Sequence, residues 1–284
     1  MNVQFYKAHG AGNDFLFTFA NESPVELERR PALARAICER NTGVGADGWY
    51  LIETGVEGAD ARIHLYNSDG SKAELSGNGT RCAAAILYRL GLTGTRVRIL
   101  TGDGVKDLRW KSQAGSEYRF EMDMGRPRVT RAGMRFRLAL EQEEREVALI
   151  DVGNPQCAVA VESLDFDWRR LGAGIEGHPR FPNRTNVSFV RAVDAHTIEA
   201  RFYERGAGPT LSSGTGSTGA AVAAILWGMA SSPLAVRGER HPLEVRWEGA
   251  SALSSFDGEP PIEEWGSICL TGPAQVVAQG HFSW

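Results

Sequence analysis

Two serines, Ser76 and Ser213, occupy the same place in two copies of one pattern. The first copy reads KAELSGNGTRCAAAIL from Lys72 to Leu87, and the second reads TLSSGTGSTGAAV from Thr210 to Val222. Each serine precedes a Gly-x-Gly step that opens a helix with almost no polar surface. The first turn of a helix presents unpaired backbone N–H groups and a partial positive charge. Glycines on either side let an anion approach that main chain closely. Two such ends facing each other across a cleft would clamp one carboxylate from both sides. A serine at this position is also a good N-cap, which is its plain structural role.

The elements that must position these ends are themselves duplicated. At an offset of 137 residues Ser76 falls on Ser213, Gly77 on Gly214, Gly79 on Gly216 and Ala83-Ala84 on Ala220-Ala221. A strand-like run precedes each copy, ARIHLY before the first and HTIEARFY before the second. Gly12-Asn13 matches Gly153-Asn154 at nearly the same offset. The period is too long for a solenoid and points to two similar halves. Further strands are predicted at Val3–Tyr6, Phe15–Phe19, Trp49–Glu53, Val97–Leu100, Tyr118–Met122, Val147–Asp151, Ala158–Val161, Asn186–Val190, Leu243–Trp247, Ile268–Thr271 and Gln275–Ala278. Helices are predicted at Pro31–Arg40, Asn78–Leu90, Phe166–Gly172 and Thr215–Ala230. Helices apolar all round belong in a core. The expected fold is therefore α+β: two pseudo-symmetric domains, each a mixed sheet wrapped around a central apolar helix, with the active site in the cleft between them. The expected division is 1–120, 121–270, and a segment 271–284 returning to the first domain. The junction is expected just before the Arg-, Glu- and Gly-rich stretch Arg126–Arg145.

Composition narrows the function classes. The 284 residues are 42% apolar and 23% charged, with a formal net charge of −4 and no basic run. Nucleic acid and anionic membranes are not suggested as partners. No apolar stretch approaches the roughly 20 residues that span a bilayer, and MNVQFYKAHG does not read as a secretion signal. Cys38, Cys82, Cys157 and Cys269 are widely spaced and read as reduced cytoplasmic thiols. The six histidines form no metal-ligand pair, so no metal is expected. Gly43–Gly48 and Gly214–Gly219 both match G-x-G-x-x-G. The first lies between a helix and a strand, the wrong order, and the second opens nine residues after its strand instead of in the turn. Nucleotide binding is not expected.

HGAGNDF, NSDGSKAELSGNGTRC, VGNPQC, RTNVSF, ERGAGPTLSSGTGSTGAA and TGPAQVV, in that order from His9 to the C-terminus, resemble the diaminopimelate epimerase family. The resemblance implies a cofactor-independent isomerase of amino-acid (lysine) biosynthesis, acting on a small amino-acid substrate with L,L-diaminopimelate the leading one. It implies two cysteines at the helix ends, one taking the α-hydrogen as thiolate and the other returning a proton to the opposite face. A helix end both lowers a thiol pKa and stabilises an enolate-like oxyanion. Ser76 and Ser213 stand where the family carries those cysteines, Gln156 where it usually has histidine, and Gly48 where many members have glutamine. The resemblance further assigns substrate contacts to Asn13, Asn67, Asn154 and Asn186. Main-chain contacts fall to Gly77, Asn78, Gly214 and Thr215. Glu204 would meet the amino group and Arg205 a distal carboxylate. Homodimerisation is a habit of the family that nothing in this chain fixes.

Serine changes the chemistry. A free thiol has a pKa of about 8.5, and a hydroxyl resembles water at about 15.7. The gap is worth on the order of 10 kcal/mol, against about 1–2 kcal/mol from a helix end. Three readings stay open on the residues: an epimerase that runs on Ser76 and Ser213 with Glu204 assisting; a related isomerase or eliminating enzyme with Glu204 or Asp69 as base; and a non-catalytic amino-acid binder. His9 is a weaker candidate base, read first as a satisfied structural histidine. Loss of the side chain at Gly48 is expected to leave room for a different substrate side chain.

Overall fold

The computed structural model describes residues 1–140, 143–250 and 265–284, so residues 141 and 142 of the Arg126–Arg145 stretch fall outside it. The described residues are mostly strands, with five α-helices: α1 (Arg30–Cys38), α2 (Gly77–Arg89), α3 (Arg131–Met134), α4 (Trp168–Glu176) and α5 (Gly214–Leu226). Two compact units are present, one of Met1–Met122 with Gly272–Trp284 and one of Asp123–Thr271.

In the first unit, Asn2–Gly10 and Asn13–Phe19 form an antiparallel hairpin. Its two-residue turn, Ala11-Gly12, has φ of 54° and 91°. Positive φ at both central residues is the turn whose twist matches paired strands, and it suits glycine far better than alanine. Asn13–Phe19 then runs parallel to Gly48–Thr54, which pairs antiparallel with Ala61–Asn67. Lys72–Ala73 adds to that strand on its far side before α2 begins. After α2, Arg96–Thr101 lies parallel to Ala61–Asn67 and continues antiparallel into Gly104–Ala114 and Glu117–Asp123.

The second unit repeats this order. Glu144–Asp151 pairs antiparallel with Pro155–Ala160, which runs parallel to Asn186–Asp194, itself antiparallel to Thr197–Glu204. Gly208–Thr210 precedes α5. Leu234–Arg237 is parallel to Thr197–Glu204 and leads antiparallel into Leu243–Trp247 and Ile268–Ser283. The registers superpose residue on residue. Phe15 opposes Gly48 as Gln156 opposes Asn186, and Tyr50 opposes Leu65 as Ser188 opposes Phe202. Gly48 therefore corresponds to Asn186, Tyr50 to Ser188, Leu65 to Phe202 and Asn67 to Glu204.

The strand Gly48–Thr54 shows how the two faces divide. Side chains alternate along a strand. Trp49 and Leu51 face α1, in a cluster with Leu33, Ala34 and Ile37. Tyr50, on the other face, meets α2. Both faces are covered, which is why the run GWYLI reads as continuously apolar. In the second unit Val187 and Phe189 pack with Trp168 and Ile175 of α4, and Ser188 lies on the alternate face. The helices α2 and α5, 13 residues each, are buried over nearly their whole length. Ala83–Ala85 and Ala220–Ala221 keep that burial narrow enough for the sheet to close on the helix.

Several boundaries differ from the sequence expectation. The helix expected to reach Ala230 stops at Leu226, followed by Gly228 at φ 73°. The helix expected at Phe166–Gly172 runs from Trp168 to Glu176, because Asp167 caps it by accepting from Arg170 N at 3.1 Å. Ile268–Thr271 and Gln275–Ala278 are parts of one strand, Ile268–Ser283. Gly272-Pro273 falls between its pairing with Glu244–Trp247 and its pairing with Asn2–His9.

Candidate active site

The α2 end is built from three neighbouring segments. Ser76 has extended backbone (φ −130°, ψ 120°), and its Oγ accepts from Gly79 N at 3.3 Å. Thr80 Oγ1 donates to the Ser76 carbonyl at 2.9 Å, closing the first turn. Gly77, Asn78 and Gly79 are buried, Asn78 to 2% exposure. The Asn78 side chain is engaged by the fully buried Arg81, whose Nη2 donates to Asn78 Oδ1. The hairpin end packs directly on this turn, since a Cβ at Gly10 would lie 3.0 Å from the Asn78 carbonyl oxygen.

Asn13 and Asn67 are held by their own surroundings. Asn13 Nδ2 donates to Asp47 Oδ2, and the same carboxylate accepts from Asp14 N at 3.0 Å. Asn67 Nδ2 donates to Ser71 Oγ at 3.0 Å, within a turn in which Asp69 Oδ1 accepts from Ser71 N at 2.8 Å and Ser71 Oγ at 2.6 Å. Those bonds from Ser71 hold the Asp69 carboxyl below the usual carboxylate range. Asp69 is exposed. A carboxylate so stabilised is a weaker base than a free one.

Two further expectations are corrected in this unit. Gly48 opens no vacancy: a Cβ there would lie 2.9 Å from the Tyr66 carbonyl oxygen, 3.2 Å from Leu65 Cδ1 and 3.4 Å from Phe15 Cδ1. His9 is not a satisfied structural histidine, because its buried Nδ1 has no hydrogen-bond partner. Sequence reasoning also missed Tyr50. Its ring stacks on Phe17 at 4.9 Å between centroids and meets Phe15 edge-on at 5.4 Å, and its Oη lies over Gly79. No local signal marked it, because the fold decides which face of this strand meets α2.

The α5 end has the same backbone plan. Ser213 (φ −134°, ψ 124°) is 4% exposed, and its Oγ accepts from Gly216 N at 3.0 Å. Gly214 is buried and Thr215 half-buried. A polar chain runs along this turn: Gln156 Nε2 donates to Asn154 Oδ1 at 2.6 Å, and Asn154 Nδ2 donates to Thr215 Oγ1 at 3.3 Å. Gln156 is 2% exposed and its Oε1 has no partner. The packing of its side chain on α5 requires Gly219, where a Cβ would lie 2.9 Å from Gln156 Cγ.

Asn186, Glu204 and Arg205 meet at the adjacent strand ends. Asn186 Nδ2 donates to the Pro155 carbonyl at 3.0 Å, and Asn186 Oδ1 accepts from Arg205 N at 3.0 Å. Glu204 Oε1 accepts from Thr210 Oγ1 at 3.0 Å. The Arg205 side chain is exposed and reaches the Asn183 carbonyl at 3.4 Å. Within the first unit the hairpin that carries Asn13 packs through Gly10 on Asn78 of α2, and within the second Asn154 bonds Thr215 of α5; Asn67, Asn186, Glu204 and Arg205 are held by bonds at their own strand ends.

Thiol chemistry is confined to other places. All four cysteines are free. Burial pushes the Cys38, Cys82 and Cys157 thiols up to about 12, so none of these is a thiolate at neutral pH. Among the described residues no group of three or more His, Cys, Asp or Glu could hold a metal ion, and no helix is long and apolar enough to cross a membrane.

Comparison with known proteins agrees with this plan. The family model for diaminopimelate epimerase matches residues 5–130 and 148–260. A diaminopimelate epimerase from Azoarcus sp. is 36% identical over 99% of both chains. Among solved structures, a hydroxyproline epimerase from Agrobacterium vitis with bound trans-4-hydroxy-L-proline superposes with a TM-score of 0.73. It is 16% identical and covers 99% of this chain and 92% of its own. A phenazine biosynthesis protein of the PhzF family from Bacillus anthracis gives a TM-score of 0.73 at 15% identity over 99% of both chains. At such identity the two structures establish the fold alone. The match of sequence along the whole chain goes further: this protein belongs to the diaminopimelate epimerase family.

Proposed function

We propose that this protein inverts configuration at the α-carbon of an amino acid without a cofactor, with L,L-diaminopimelate as its leading substrate and the meso isomer as product. The observation that carries the reading is the duplicated helix end. Each unit supplies a buried helix whose first turn leaves main-chain N–H groups at a serine hydroxyl, in a chain of epimerase ancestry. On this reading the two ends act on one substrate, and their N–H groups bind its α-carboxylate. One serine, as the alkoxide left once its own proton has passed to solvent, takes the α-hydrogen as a proton while the C–H electron pair stays on the α-carbon. The other serine gives a proton to the opposite face. The helix ends carry the charge that develops on the carboxylate as the carbanion forms. Glu204 and Asn186 would hold the amino group, and the exposed Arg205 fork would take a distal carboxylate.

A serine base at these ends is handicapped by about 7 pKa units relative to a thiol, so turnover slower than that of a cysteine enzyme is expected. Incubation with L,L-diaminopimelate in deuterated water tests the reading. Deuterium at one α-carbon together with meso product supports it. Tight binding by calorimetry with no exchange over hours would replace it with the binder. Exchange or elimination on another amino acid alone would move the assignment to a carboxylate-based relative using Glu204.

A further inference from the structure

The α2 end carries a group that the proposed chemistry does not use. Tyr50 is 1% exposed, and its Oη has no partner in full hydrogen-bond geometry. A buried hydroxyl without a partner is a standing cost that phenylalanine in the same aromatic stack would avoid. The phenol is aimed at the first turn of α2. A Cβ at Gly79 would lie 2.1 Å from Tyr50 Oη and 2.5 Å from its Cζ and Cε2, so glycine at 79 is what admits the ring. The Ser76 side chain is the hydrogen-bonding group that acts on the phenol. Burial raises the phenol pKa above its ordinary value, with the Ser76 contact opposing. Tyr50 is therefore a donor and keeps its proton at neutral pH.

We infer that Tyr50 is a positioning residue of the Ser76 end: its O–H donates to Ser76 Oγ when that oxygen is charged, alongside the Gly79 N–H. The inference rests on the reading of Ser76 as an acid–base group. When Ser76 gives its proton to the α-carbanion, the O–H bond electrons stay on Oγ, and two donors hold the alkoxide. When Oγ takes the α-hydrogen, the same donors release it as a neutral hydroxyl. Tyr50 neither gains nor loses a proton. Its approach to full hydrogen-bond geometry accompanies the charge, as donors at a site tighten on an oxyanion.

A thiol reporter tests this without requiring turnover. Ser76→Cys is made in the full chain, and thiolate absorbance near 240 nm is followed from pH 6 to 10 against the parent protein. Cys38, Cys82 and Cys157 are held up to about 12 and stay silent in that range, and Cys269 cancels in the difference. Adding Tyr50→Phe, or Tyr50→Met as a second variant, is expected to raise the reporter pKa by about one unit, a tenfold loss of thiolate at neutral pH. An unchanged pKa in both variants overturns the inference, whatever happens to the melting temperature. In the parent, Tyr50→Phe is expected to lower kcat for α-hydrogen exchange at least tenfold with KM unchanged, and an unchanged kcat also overturns it. A shifted reporter pKa in a protein with no exchange keeps the donor role and rejects the epimerase reading. Exchange without a pKa shift does the reverse.

Discussion

The α2 and α5 ends meet one packing demand from different strands. At α2, Gly79 makes way for Tyr50, which belongs to the third strand of its unit. At α5, Gly216 makes way for Phe202, whose Cδ1 would lie 2.8 Å from a Cβ there and which belongs to the fourth strand. When the two registers are superposed, Tyr50 corresponds to Ser188 and Phe202 to Leu65, while within each unit Tyr50 opposes Leu65 and Phe202 opposes Ser188. A large ring from one strand is thus paired with a small or aliphatic partner from the next, and the order is reversed between the halves. The chemistry is reversed with it. The polar tip of the ring lies at α2, whereas at α5 the polar groups are Gln156, Asn154 and Thr215 along the side of the turn. A duplicated scaffold therefore conserves space before it conserves function.

The comparison is broken most forcefully by restoring thiols. Ser76→Cys with Ser213→Cys is expected to raise deuterium incorporation into L,L-diaminopimelate by at least ~100-fold, a fraction of the roughly 10 kcal/mol that separates the two bases. No gain would mean that the ends no longer fit the substrate the family is named for. Next in size, Gly79→Ala is expected to cost about 1–3 kcal/mol by forcing Tyr50 off its stack. Gly216→Ala should cost less, because 2.8 Å to a ring edge asks for a smaller shift than 2.1 Å to a phenol. Urea unfolding monitored in each unit measures the order, and equal costs would remove the distinction between the rings.

Removing the caps sharpens the comparison further. Ser213→Ala is expected to destabilise by about 1 kcal/mol and Ser76→Ala by less. The Ser213 bond is shorter, at 3.0 against 3.3 Å, and more deeply buried. The smallest effect concerns Asp14, which has no acidic counterpart at Pro155 in the second unit. Burial alone would raise its pKa, but bonds from Arg40 at 2.9 Å and Lys7 at 3.1 Å hold it below the ordinary value. A depressed carboxyl stabilises the folded state above its unfolded pKa, about 3.9, and that contribution is lost as pH falls through the folded value. Asp14→Asn is expected to flatten the acid limb of the first unit's stability by a few tenths of a kcal/mol, up to ~1 kcal/mol. An unchanged acid limb would show the pairs to be neutral.

The helices that matter most were legible because their signals are local. Ser-Gly-x-Gly followed by an apolar run states a cap, an open turn and a buried axis within a dozen residues. The strand Gly104–Ala114 was not legible, since most of its side chains are exposed and its sequence lacks apolar alternation; it forms because strands on both sides supply partners. The polar site residues near each end could be named by motif, but not the bonds that occupy them. That Asn13 is held by Asp47, or that Gly48 is walled by Phe15 and Leu65, depends on residues far apart in sequence. Tyr50 was invisible for the same reason: a tyrosine in GWYLI reads as one more core aromatic until the helix it touches is known.

The strand Ile268–Ser283 carries a consequence for how the protein is made. Its later residues, from Gln275 on, are the edge partner of Asn2–His9, and the amino group of Met1 bonds to the carbonyl of Trp284. The opening strand leaves the ribosome with one of its two neighbours still unsynthesised, and the whole second unit must be emitted before that neighbour arrives. Contacts so distant in sequence close late and slowly. The first half of the chain is therefore born with an unprotected sheet edge, and it is the half in greatest need of shelter during synthesis.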